Sequence, residues 1–125
     1  MIARTARLIL WLLAAVTLFL GLRWVVEPEA AAASLGMPLL EGLARSTQIG
    51  DISAFFFGIA AMLMLGLQTG RDSWLHAAAI FFGLAAIMRT LAWLLHDATF
   101  AGPLIAVEVA LALIILLAAK MRRAA

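Results

Sequence analysis

Four long apolar stretches separated by polar breaks dominate the chain, at residues 8–26, 50–68, 74–95 and 103–119. Each supplies roughly the 20 helical residues needed to cross the hydrocarbon core of a bilayer. The breaks read "EPEAAAASLGMPLLEGLARSTQI", "QTGRDS" and "HDATFAG". The second and third are short enough to make their flanking helices antiparallel neighbours. The pattern predicts an all-α protein, a four-transmembrane-helix bundle forming a single domain over residues 1–125.

The first break carries internal punctuation. Pro28 suits the first turn of a helix, Glu27 and Glu29 suit its N-terminal end, and Gly36 can stop it. After "GMP", residues Leu39 to Ile49 read as a second amphipathic stretch leading into the second span. This connection is expected to form a short interfacial helical segment along the membrane surface. Its alternative is a second span that starts earlier, near Leu40.

Composition agrees with the pattern. The chain is 66% hydrophobic and 13% charged, with a mean hydropathy of +1.12. Water-soluble domains run nearer half apolar and a quarter charged. A soluble core of 125 residues has no room for this much apolar surface, so the solvent for most of the chain is lipid.

The pI of about 10.5 suggests nucleic acid until the charges are located. Net charge is only +2, and Arg4, Arg7, Lys120, Arg122 and Arg123 lie at the termini. That is the placement expected for ends of membrane helices, and no nucleic-acid motif accompanies it. With both termini in the cytoplasm, six Lys or Arg fall inside (those five and Arg71) and two outside, Arg23 and Arg45. The positive-inside rule selects this orientation. A cleaved signal peptide is the rival reading of the first span. Against it, "LILWLLAAVTLFLGL" continues through Arg23 to Val26, beyond the usual 7–15-residue signal core.

One residue conflicts with its surroundings. In "FFGLAAIMRTLAWLLHD" (81–97), Arg89 lies seven residues before His96, about 10 Å below the outer boundary at 1.5 Å per residue. Glu108, in the next span, lies at about 8–9 Å depth by the same count. Positions 89 and 108 are equidistant from the turn at 98–99, so an antiparallel hairpin brings them level. They are the two charges deep within spans, where an unpaired charge costs several kcal/mol. An Arg89–Glu108 ion pair or shared polar network is therefore expected. His96 falls about 20° from Arg89 on the helical wheel, on a face shared with Phe82 and Trp93. Asp51 begins the second span and Arg23 ends the first. Arg23, Asp51, Arg89, His96, Trp93 and Glu108 thus form a candidate cluster able to hold a small molecule or lipid. The bland reading competes: buried ion pairs also fix helix register, and Arg89 can snorkel outward.

Other chemistry is thin. With no cysteine, disulfides, thiolate catalysis and iron–sulfur ligation are excluded. His76 and His96 lie about 30 Å apart along one helix and cannot share a haem or metal. A single metal on His96, Asp51 and Glu108 is geometrically conceivable, but none is expected, and no cofactor. "GLARSTQIGD" lacks the Lys-Ser/Thr of a phosphate loop. Ala54/Gly58 and Ala79/Gly83 have the spacing that lets helices approach closely, within the chain or in a homo-oligomer.

Together, "GLRWVVEP", "SLGMP", "GLARSTQIGDISAFF", "RTLAWLLHDATF" and the late Glu108 resemble a family of small bacterial four-helix membrane proteins, DoxX-like in layout. The resemblance runs over nearly the whole chain. It implies four membrane helices in the bacterial inner (plasma) membrane and carries over no catalytic residue. Without cysteine, the thiol-redox role suggested for some DoxX-like proteins has no counterpart here.

Three functions stay in play: a binding or accessory bundle, a proton-coupled transporter cycling Glu108, and, last, an enzyme using Glu108 or His96 as acid or base. The orientation is directly testable. Green fluorescent protein fused after Arg123 should fluoresce, and alkaline phosphatase inserted in residues 36–41 should be active. The opposite pattern rejects the assigned topology.

Overall fold

The computed structural model describes residues 1–123. Five helices follow in order: α1 (Ile2–Val26), α2 (Pro28–Ser34), α3 (Gly42–Thr69), α4 (Asp72–Leu95) and α5 (Gly102–Arg123). All but α2 are long and apolar enough to cross a membrane, so this is a multi-pass helical bundle. Each spanning helix lies beside the next spanning helix in sequence. Helix α1 packs chiefly on α3 and α4 on α5, and the two pairs join through α1–α5 and α3–α4 contacts. Alternating directions put the starts of α1 and α4 and the ends of α3 and α5 at one end, the terminal end. The two longer connections lie at the other, far end.

Local chemistry explains the breaks. Glu27 leaves helical geometry (φ −134, ψ 60) because the residue before a proline is disfavoured there, and Pro28 then opens α2. Gly36 closes α2 at φ 75, and the Met37 N–H bonds back to the Ala32 carbonyl at 3.1 Å, a left-handed helix stop. Trp24 at the end of α1 is buried against Ala31 and Ala32, with Leu39, Ile49 and Phe56 around them. The expected second amphipathic stretch at 39–49 is not separate. Most of it forms the first two turns of α3, as the earlier-start alternative held. Gln48 is the reason the preceding loop is fixed. It is buried, its Nε2 donates to the Pro38 carbonyl at 3.1 Å, and its Oε1 accepts from the Leu40 N–H at 2.9 Å.

The main core occupies only the terminal half. Ala6, Leu10 and Ala14 of α1 meet Ile59, Leu63 and Leu67 of α3, Leu75, Ala78 and Phe82 of α4, and Ile115 and Ala118 of α5. Helix α1 is thus integral to this core. Outward, Leu12, Phe19, Ile80, Ile87, Leu113 and Leu117 are exposed, a continuous apolar exterior suited to lipid.

A polar latch closes the terminal end. Arg122 donates through Nη1 to the Gly66 carbonyl at 2.8 Å and through Nη2 to that of Gly70 at 3.1 Å. Both Arg122 and Arg123 pair with the Asp72 carboxylate. The last carbonyls of α3 carry the negative end of its dipole, so a cation suits them. Positions 72 and 122–123 follow nearly the same antiparallel register as 89 and 108.

Close approach does not occur where the small-residue spacing placed it. A Cβ on Gly58 or Gly83 would meet nothing within 4 Å. On Gly66 it would come within 2.6 Å of Leu75, and on Gly21 within 2.9 Å of the Phe57 ring. Alanine is intrinsically the better helix former by roughly 1 kcal/mol, and overpacking typically costs 1–3 kcal/mol. Gly58→Ala should therefore be neutral or stabilising. Gly66→Ala should lose about 1–2 kcal/mol by thermal unfolding in detergent, where Leu75 cannot yield. Equal melting temperatures for the two variants would contradict the packing.

Candidate functional site

The far half of the bundle has a cavity where the terminal half has a core. Its volume is about 440 Å³, within the roughly 300–1,000 Å³ of small-molecule sites. Every long helix contributes to its wall: Val16 and Thr17 from α1, Phe55 and Phe56 from α3, Phe82 and Ala85 from α4, and Leu104 and Val107 from α5. Leu35 and Met37 reach in from the α2–α3 connection. The rings of Phe55 and Phe56 meet edge-on at 5.3 Å, and those of Phe55 and Phe82 at 6.0 Å. Val16 and Val107 are themselves exposed, so the cavity reaches the outer surface between α1 and α5, the surface that faces lipid.

Against this apolar lining stand three charges, Arg89, Glu108 and Asp51. Arg89 Nε donates to Glu108 Oε1 at 2.8 Å, the pair expected from matched depth. Phe82, Ala85 and Arg89 lie three, four and seven residues apart and hence on one stripe of α4, which aims the guanidinium at the cavity wall. Glu108 is held more tightly than its partner, with side-chain exposures of 10% and 34% respectively. Its second oxygen, Oε2, is buried and accepts no hydrogen bond from the described residues. Thr17 also lines the cavity, but its hydroxyl proton is committed to the Leu13 carbonyl at 2.9 Å. It cannot serve Oε2 without releasing that bond.

Three members of the expected cluster lie elsewhere. His96, the residue that caps α4, has left helical geometry (φ −131, ψ 21), so wheel periodicity no longer fixes its direction, and it is exposed. Trp93 is exposed and packs on Phe100 across the turn, ring centroids 4.9 Å apart, instead of facing the cavity. Arg23 sits in the last turn of α1, beyond the cavity residue Leu20, and forms no side-chain hydrogen bond or ion pair among the described residues. His96 and Trp93 both lie in a stretch, residues 87–101, that contains no buried position. Among the described residues no three His, Asp or Glu side chains are grouped as a metal site requires.

Sequence reading missed the aromatic wall and the Asp72 latch. "FFF" at 55–57 was the available signal for the first. For the second it was the shared register of an acid and two arginines across the α4–α5 hairpin.

Compared with known protein families, curated proteins and solved structures, the chain matches none.

A double-mutant cycle tests the pair. Removing one member of a buried pair strands the other and costs about 3–5 kcal/mol, so Arg89→Ala and Glu108→Ala should each destabilise strongly. The double variant should recover part of the loss, with coupling of about 1–3 kcal/mol in detergent unfolding. Additive losses would dissolve the pair.

Proposed function

We propose that the protein is a membrane binding bundle that holds one small amphiphilic molecule or lipid in its far-half cavity, with the polar end of the ligand at the Arg89–Glu108 pair. The observation that carries this reading is the asymmetry of the packing. The same four helices enclose a tight core at one end and a cavity with one charged wall at the other. Apolar lining supplies affinity and a few placed polar groups supply orientation, as in small-molecule sites generally. The gap between α1 and α5 would admit a molecule directly from the lipid phase.

Proton-coupled transport is less well supported. Glu108 is bonded through Oε1 to the Arg89 guanidinium. A transport cycle would have to break that bond at every turnover. In this reading the termini are cytoplasmic, and the cavity lies in the outer leaflet of a bacterial inner membrane.

Filling the cavity tests binding without touching the charges. Wild-type protein in detergent should retain a ten-carbon amphiphile as a one-to-one adduct in native mass spectrometry. Ala85→Phe should lose that adduct, with an unchanged helical circular-dichroism spectrum. Adducts of equal strength in both proteins would remove the cavity from the proposal.

A further inference from the structure

The chemistry of the charged wall narrows the ligand, granted the binding reading above. Glu108 presents two oxygens, and Arg89 satisfies only Oε1. A buried carboxylate oxygen without a donor loses its hydration and gains nothing in return. The neighbouring hydroxyl of Thr17 is committed to its own helix. Glu108 lines the cavity, and its second oxygen is an acceptor that needs a proton donor.

Charge sharpens the requirement. The wall holds two carboxylates, Glu108 and Asp51, and one guanidinium, Arg89. An anionic head group would bring a third negative charge to the site. A neutral donor such as an alcohol would satisfy Oε2 and leave one negative charge over. A monocation with N–H groups satisfies both demands. The Phe55, Phe56 and Phe82 rings add faces that attract a cation and apolar surface for its alkyl body. The far end is also acidic: Glu27, Glu29, Glu41 and Asp97 outnumber Arg23 and Arg45 among residues outside the cavity. Such a surplus raises the local concentration of cations at that end of the protein.

We infer that the cavity binds a lipophilic primary or secondary amine in its protonated form. The ammonium donates to Glu108 Oε2, Asp51 supplies the balancing charge, and the hydrocarbon part lies against the phenylalanine wall. Arg89 holds the carboxylate in place and keeps Oε1 from competing for the ligand's protons.

Four ten-carbon probes with one tail and different heads test this: decylamine, decanol, decyltrimethylammonium and decanoate. Affinities are read by native mass spectrometry and by the thermal shift of the detergent-solubilised protein at neutral pH. Decylamine should bind at least about tenfold more tightly than decanol, which has a donor and no charge. It should exceed decyltrimethylammonium, which has charge and no donor, by a similar factor, and decanoate should be weakest. Glu108→Gln places an amide where the carboxylate stood and should erase the amine preference. Asp51→Asn, at an exposed position, should weaken decylamine several-fold while leaving decanol unchanged, and serves if the Gln variant does not fold. Decanol or decanoate binding as tightly as decylamine overturns the amine assignment and leaves the binding reading standing. Equal binding of the quaternary ion overturns the donor role of Oε2. No adduct with any of the four overturns binding itself.

Discussion

The far half of this bundle depends on one contact, the bond from Arg89 Nε to Glu108 Oε1. In water such a pair would be worth little. In lipid the alternatives are poor: an unpaired arginine at depth costs about 2.5–3.5 kcal/mol even on the mildest scales. The pair therefore stabilises mainly by what it prevents. It also acts where packing has lapsed, since no residue from 87 to 101 is buried. Helices α4 and α5 stay level at the far end because their charges must meet, while α1 and α3 are held together there by Trp24, α2 and the Gln48 loop clamp.

The terminal half obeys a different rule. Lipid offers helices no hydrophobic reason to associate, so close packing and polar ties must hold them. Gly66 supplies both: it lets Leu75 come close, and its carbonyl accepts from Arg122. The α4–α5 hairpin thus has two ties in nearly the same register, Asp72 with Arg122 and Arg123 at the terminal end and Arg89 with Glu108 in the far half. A cavity beside the second tie is tolerated because that tie and the packed terminal half fix the helix positions.

Much of this was legible in the sequence. The spans followed from apolar length, and the Arg89–Glu108 pair followed from symmetry about a short turn, because both rules depend only on the rise of a helix. Pro28 and Gly36 bounded α2 correctly for the same local reason. What escaped depends on three-dimensional packing. A helical wheel could not direct His96, because the helix ends at Leu95, nor could it reveal the Phe100 ring from the turn that packs on Trp93. The close approaches at Gly21 and Gly66 went unseen, since the spacing rule pointed to Gly58 and Gly83 instead. Gln48, read as part of an amphipathic stretch, turned out to be the fastener of the loop before it.

The order of the charges along the chain has a consequence for how the protein is made. Arg89 precedes Glu108 by nineteen residues, so a ribosome delivers the arginine to the membrane before its counter-ion. Until α5 arrives, α4 cannot settle at its final depth without stranding a cation in hydrocarbon. Entry of the two helices as a single hairpin avoids that cost, because the counter-ion then arrives with the arginine.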